Sequence, residues 1–364
     1  MNDNLSFPSE RLLGIEAYKG NGQKALSTSN GEDVLKLDWN ESPLPPSPFA
    51  IKAILETVVQ ENALNWYPDI ESSKLRELLA DHLEVDFRNI QTFCGSDGAL
   101  EIIIRSFVVP DDKLLIVSPT YDNFRIYGLS TGCEVEMEKP KDIFDLKIGD
   151  LIDLVKSANA KAVYLCNPNN PTGWLVKNED LSVLADMFPE TLFIIDEAYA
   201  DFAGFTFAKE ATKRRNTIIT RTFSKVFGLA GLRIGYIVAS IPNVETINKI
   251  RIGKNVNVLA QSAALAALKD TDHLAKTLKR VENGKQILIE GLDKIGLQYR
   301  VTPANFILIQ HPDVDLIRSQ LQLRNIYVRS LTHLIGLKQF LRITIGSPDQ
   351  MERVVDALRD IIAG

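Results

Sequence analysis

The chain has little of what builds disulfide frameworks or metal centres. Its 364 residues include three cysteines, Cys94, Cys133 and Cys166, widely spaced and forming no CxxC pair. That usage excludes a disulfide scaffold and fits a reducing cytosol, so a cytoplasmic location is expected. The four histidines, His82, His273, His311 and His333, have no metal-ligand spacing, and no metal is assigned. Positive charge is not concentrated. The net charge is −6, and the densest basic cluster is Lys213-Arg214-Arg215, which argues against a nucleic-acid partner. No apolar run approaches the ~18 residues of a membrane span. The polar first thirty residues lack an apolar signal core. Internal repeats and low-complexity segments are also missing.

What remains is an ordinary globular composition, 45% hydrophobic and 24% charged. The length exceeds what one small core serves, so two domains are expected. Residues 1 to about 45 read as an irregular N-terminal arm that also contributes to a small domain. Residues 46–255 read as a large domain and 256–364 as a small C-terminal one. The proline-rich Ser42-Pro43-Leu44-Pro45-Pro46-Ser47-Pro48 cannot be a helix interior. A helix is expected over Phe49–Gln60, then another beginning at Ser72 or Ser73 with Leu75, Leu78, Leu79 and Leu83 as its apolar face. From residue 91 strands alternate with helices. Strands are predicted at Gln91–Cys94, Leu114–Val117, Lys161–Leu165, Leu192–Ile195 and Thr217–Arg221, with intervening helices after Gly95 and over Asn178–Phe188. This alternation predicts an α/β domain built on a mostly parallel sheet. After residue 250 a long helical stretch, Val258–Ile295, leads to strands at Phe306–Gln310 and Phe340–Thr344. A last helix starts at Ser347-Pro348 with Gln350 as its capping-box partner.

Polar residues stand at the ends of those predicted strands. Asn167, Asp196 and Lys225 are spaced 29 residues apart, about the length of one βαβ unit, so they are expected at one edge of the sheet. Ligands bind at that edge in open parallel sheets. Lys225 is flanked by Thr222 and Ser224, and Arg233 follows eight residues later. A lysine amine, adjacent hydroxyls and a fixed cation suit pyridoxal 5′-phosphate, whose aldehyde takes the amine and whose phosphate takes the rest. Asp196 suits the pyridine nitrogen, keeping it protonated so that the ring accepts electrons. Asn167 or Tyr199 suits the ring's phenolic oxygen. Gly95-Ser96-Asp97-Gly98, at a predicted helix start, offers N–H groups to the phosphate, with the Asp97 carboxylate expected to point elsewhere. Taken singly, each feature also has an ordinary reading as a cap, a turn or a surface lysine. Their complementary roles at matching places favour the cofactor site.

These segments resemble a known family. The run Asn167-Pro168-Asn169-Asn170-Pro171-Thr172-Gly173, the segment Asp196-Glu197-Ala198-Tyr199, and Ser224-Lys225 with Gly231-Leu232-Arg233 and Gly235 are similar to fold-type I pyridoxal-phosphate aminotransferases, most closely histidinol-phosphate aminotransferases. The similarity runs from about Leu37 to the C-terminus. It implies a large domain with a mostly parallel central sheet flanked by helices and a smaller α+β domain. It implies that Tyr121 stacks on the cofactor ring. Tyr67 would reach the phosphate held by the neighbouring subunit, in a homodimer with shared active sites. It further implies that Arg342, with Arg329, binds the substrate's anionic group, and that Asn40 and Tyr18 contact substrate. Trp66, Gly98 and Ile252-Gly253-Lys254 depart from the family pattern. The first and last of these concern surroundings of the substrate.

The expected activity is therefore a two-half-reaction transamination in which Lys225 is displaced and then moves a proton at the substrate α-carbon. The resemblance points to histidinol phosphate and glutamate, in histidine biosynthesis. An alternative within the same cofactor class is decarboxylation of a phosphoamino acid such as threonine phosphate; another is transamination of a different amino acid. A dinucleotide-dependent oxidoreductase is disfavoured, because no GxGxxG follows the first strand of the α/β region.

Overall fold

The computed structural model describes residues 12, 14, 15 and 34–363. Two sheets organise these residues. The larger has seven strands, in chain order β2 (Ile90–Phe93), β3 (Lys113–Val117), β4 (Glu134–Glu138), β5 (Ala162–Cys166), β6 (Leu192–Asp196), β7 (Thr217–Thr222) and β8 (Gly235–Ala239). Their spatial order is β2-β8-β7-β6-β5-β3-β4. The run from β4 to β7 is parallel, and β8 is antiparallel to both β7 and β2. The central strands are apolar without alternation because helices cover both faces. Successive side chains of β5 and β6 enter different cores. Val163, Leu165, Phe193 and Ile195 pack on one face, and Ala162, Tyr164, Cys166, Leu192 and Ile194 on the other. The edge strand β4, Glu-Val-Glu-Met-Glu, has no fully buried residue and carries three glutamates, a charge pattern that discourages edge-to-edge pairing.

The smaller sheet joins β1 (Leu35–Leu37) to β9 (Gln298–Val301), β10 (Phe306–Gln310), β11 (Ile326–Ser330) and β12 (Phe340–Thr344), in the order β1-β11-β12-β10-β9. β1 lies parallel to β11, so the segment before residue 45 enters the small sheet. Its core is closed by the Thr271–Ile295 and Pro348–Ala363 helices through Leu288, Leu292, Val354 and Leu358.

Several elements differ from the sequence expectation. The helical stretch 258–295 is two helices, Val258–Lys269 and Thr271–Ile295. Asp270 divides them. Its carboxylate caps the second helix by accepting from the His273 N–H at 3.2 Å and also takes the Ser47 hydroxyl. The first of these helices packs Ala260, Ala263, Ala264 and Ala267 into a core of the large sheet, so the small-sheet core begins at the second helix. Ser72 has a left-handed backbone (φ 47°) and does not cap the Ser73–Leu83 helix with its side chain. The last helix starts at Pro348, with the Gln350 side chain accepting from the Ser347 N–H at 2.9 Å. Among the described residues, no helix is long and apolar enough to cross a membrane.

Candidate active site

A cavity of about 490 Å³ opens at the carboxyl ends of β5, β6 and β7, roofed by the small-sheet segment. Its floor comes from strand ends. Asp196 closes β6, Thr222 closes β7, and the turn after β7 carries Ser224 and Lys225 to the same wall. Lys225 Nζ donates to the Trp39 carbonyl at 2.8 Å. Burial, reinforced by the nearby Arg342 charge, pushes its amine down to about 8. Asp196 is buried, and its carboxyl is pushed up to about 6 by burial. Three donors oppose that rise: Tyr164 Oη at 3.0 Å, Thr220 Oγ1 at 3.1 Å and the Ala198 N–H at 3.2 Å. A buried carboxylate so equipped suits a cationic ring N–H.

Another part of the cavity lining is a candidate anion cradle. The Gly95–Phe107 helix begins there, with Ser96 and Asp97 in its first turn lining the cavity. Arg233 lies against this terminus, and its Nη1 reaches Ser224 Oγ at 3.3 Å. Two glycines make the approach possible. A Cβ on Gly95 would stand 2.7 Å from Arg233 Nη2, and one on Gly235 would stand 2.6 Å from the Ser96 nitrogen and 2.7 Å from the Arg221 carbonyl. Helix N–H groups, hydroxyls and a guanidinium together fit a phosphate. The Asp97 carboxylate stays beside this cradle. It accepts from Tyr121 Oη at 2.7 Å and from Arg233 Nη2 at 3.0 Å. Tyr121 and Ala198 both line the cavity.

Arg342 and Arg329 come from neighbouring antiparallel strands, β12 and β11, where they face each other in register, and both line the cavity. Arg342 donates to Asn170 Oδ1 at 2.6 Å and to the Asp38 carbonyl at 2.5 Å. Tyr199 also lines the cavity, its hydroxyl accepting from Asn40 at 2.9 Å.

The structure departs from the sequence reading at two positions, Asn167 and Asn40. Asn167 is buried outside the cavity. Its amide donates to the Val176 carbonyl at 2.9 Å and accepts from the Val176 N–H at 2.8 Å, which closes a turn. Asn170, three residues on, is the asparagine of that run that lines the cavity. Asn40 stands behind the wall: besides holding Tyr199, it bonds Thr344 and Asn305. Tyr67 does not line this protomer's cavity; it is 76% exposed, with Lys254 Nζ 3.7 Å from its ring centroid. Tyr18 falls outside the described residues. The sequence reading missed Asn170, Trp39, Glu41, Ala198 and His333 as lining residues. The first four sit beside residues already singled out. His333, in the segment after β11, carried no signal.

The model of the aminotransferase class I and II family matches residues 32–358. The chain belongs to that family. It is 38% identical over 337 residues to a dihydroxyacetone phosphate transaminase of Campylobacter jejuni, covering 91% of each chain. It is 36% identical over 364 residues to a histidinol-phosphate aminotransferase of Moorella thermoacetica, covering 97% of this chain and 92% of that one. Among solved structures, a histidinol-phosphate aminotransferase of Sinorhizobium meliloti in complex with pyridoxal 5′-phosphate superposes with a TM-score of 0.90 at 25% identity, over 99% of both chains. This aminotransferase therefore has the type I fold and uses pyridoxal phosphate, and the donor set described above fits that group.

Proposed function

We propose that this aminotransferase acts on a small phosphate monoester bearing an amine or ketone, with histidinol phosphate and its oxo counterpart as the first candidates and glutamate as the partner donor. The observation that carries this reading is the pairing of Arg329 and Arg342 in register, on the wall of the cavity that holds Lys225. Two guanidinium groups suit a dianionic phosphate in one half-reaction and a carboxylate in the other. A dihydroxyacetone phosphate transaminase among the relatives favours a second candidate, dihydroxyacetone phosphate, which shares the phosphate monoester.

When bound, pyridoxal phosphate supplies an electron-withdrawing ring that stabilises negative charge at the substrate α-carbon and carries the amino group between half-reactions. The chain's residues do the rest. Ser96, Asp97 (through its backbone), Thr222, Ser224 and Arg233 would hold the phosphate. Asp196 would hold the proton of the ring nitrogen, Tyr121 and Ala198 would line the ring's surroundings, and Asn170 with Tyr199 would serve its phenolic oxygen. Lys225, with its amine depressed to about 8, gives up its proton more readily than an exposed lysine and moves the α-proton. The Trp39 carbonyl gives the amine a fixed resting place.

The site is completed by a second copy of the chain. Leu55, Val59, Leu64, Trp66, Tyr67 and Ile252 are exposed apolar side chains around the Pro48–Val58 helix and the loops beside it, and Val59 is 83% exposed. Such a surface suits a homodimer in which Tyr67 reaches the partner's phosphate cradle. The free thiols Cys94, Cys133 and Cys166 agree with a cytoplasmic setting.

The deciding experiment offers the pyridoxamine form of the enzyme imidazole acetol phosphate, dihydroxyacetone phosphate and phenylpyruvate, following the return of the pyridoxal absorbance. Turnover of a phosphorylated ketone supports the reading, and the faster of the two names the substrate. Turnover of phenylpyruvate alone, or CO₂ release from threonine phosphate in place of amino transfer, sinks it.

A further inference from the structure

The Asp97 carboxylate lies between two groups that serve opposite ends of the cofactor. Its Oδ1 accepts from Tyr121 Oη at 2.7 Å, and its Oδ2 accepts from Arg233 Nη2 at 3.0 Å. Asn123 Nδ2 donates to the same Tyr121 oxygen at 2.9 Å, so the phenol is held from two sides. Among the described residues, the other acceptors of Arg233 are neutral, Ser224 Oγ and the Ala230 carbonyl, both at 3.3 Å. Its backbone is left-handed, φ 52°, a conformation that a side-chain-bearing residue adopts at a cost. Its guanidinium lies over Gly95, where any Cβ would strike it.

We propose that Asp97 is a positioning residue that ties the phosphate-anchoring Arg233 to the ring-flanking Tyr121, so that filling the phosphate cradle orders the ring site. A carboxylate beside a phosphate otherwise carries only repulsion. The bridge explains why it stands there. The ion pair is too exposed (side chains 45% and 36%) to hold up the fold, which separates this role from a structural one. The inference goes beyond the substrate reading and rests on the cavity being the cofactor site.

The test divides the cofactor into two halves and uses the full-length, cofactor-stripped chain. Pyridoxal, which lacks the phosphate, is titrated by its absorbance on attachment to Lys225, with and without saturating inorganic phosphate. In the wild type, phosphate tightens pyridoxal binding at least ~5-fold, the lower end of ordinary coupling between sites. In Asp97→Ala that factor falls towards one, and phosphate itself binds more weakly because Arg233 has lost its clamp. If Asp97→Ala does not melt cooperatively, Asp97→Asn carries the test. Its amide keeps an acceptor for Tyr121 and gives up the charge that holds Arg233, so the coupling again collapses. Coupling of wild-type size in the folded variant overturns the inference, as does tighter phosphate binding with the coupling intact. A wild-type chain that binds neither half would remove the cavity assignment as well, whereas loss of the inference alone leaves the substrate reading standing.

Discussion

Gly235 is where fold and chemistry meet most tightly, and Gly235→Ala tests that junction. A Cβ there would lie 2.6 Å from the Ser96 nitrogen, 2.7 Å from the Arg221 carbonyl oxygen and 2.8 Å from the Gly95 carbonyl carbon. All three are backbone atoms, so no side chain can swing aside. Even the tightest contact tolerated, about 3.0 Å, requires the helix terminus and the sheet edge to separate by roughly 0.4 Å. Overpacking of this kind costs about 1–3 kcal/mol, and the rigid neighbours place this site towards the upper end. The same displacement moves the Ser96 and Asp97 N–H groups off the phosphate. Weakening one charge-assisted hydrogen bond by about 1.5 kcal/mol raises the cofactor Kd roughly tenfold. The assay is the melting temperature of the stripped protein together with cofactor Kd by equilibrium dialysis. Gly149→Ala is the internal control. It is exposed, lies outside the cavity lining, has no atom within 4 Å of its would-be Cβ and no positive φ, so it should leave the cofactor Kd unchanged and cost no stability. A Gly235→Ala protein with wild-type melting and wild-type affinity refutes the reasoning.

Three further outcomes follow from the site. Because burial and Arg342 hold the Lys225 amine near 8, below the ~10.4 of an exposed lysine, the folded chain binds this proton less readily than the unfolded chain. The stripped Lys225→Met protein should therefore melt above wild type at pH 7, and the gap should close as pH rises from 8 towards 10; a gap that widens would refute this. Asp196→Asn should lower kcat by roughly 10²–10³-fold, the usual scale for one preorganised electrostatic contact, while the melting temperature is held or raised, because a buried carboxylate pushed up to about 6 is removed. Neither Lys225→Ala nor Tyr67→Ala should be active alone, but co-expression should restore activity through mixed dimers with one intact site; no recovery in dimers verified by mass would exclude the shared-site arrangement.

Much of the site was legible beforehand because strand ends are legible. Buried apolar runs stop at Asp196 and at the Thr222–Lys225 turn, and a parallel sheet places such stops on one edge. The choice among Asn167, Asn169 and Asn170 was not legible. Three asparagines within one proline-rich turn have no periodicity, and which amide faces the cavity depends on Val176, which pins Asn167, and on Arg342, which meets Asn170. Asn40 was expected to contact substrate only because the family resemblance implied it. Its left-handed backbone, φ 56°, accompanies an amide directed at Tyr199 instead. The division of the 258–295 helix was hidden for a similar reason, since helical periodicity runs on through Asp270 and the cap shows only once Ser47 and His273 are in place.

Read in order along the chain, the residue types were enough to specify an α/β scaffold and a candidate lysine-bearing cofactor site, whereas the pair of candidate substrate arginines came from the family resemblance. The scaffold and the cofactor site depend on local patterns: apolar runs, their polar terminations and the spacing of one βαβ unit. Contacts between distant segments settled what spacing cannot encode. The antiparallel register of β11 and β12 brought Arg329 opposite Arg342, the approach of β8 to the helix at Gly95 formed the candidate phosphate cradle, and the Trp39 carbonyl met Lys225 across 186 residues. A side chain's direction is set by the partners that satisfy its polar atoms, and those partners are neighbours only after the chain has folded.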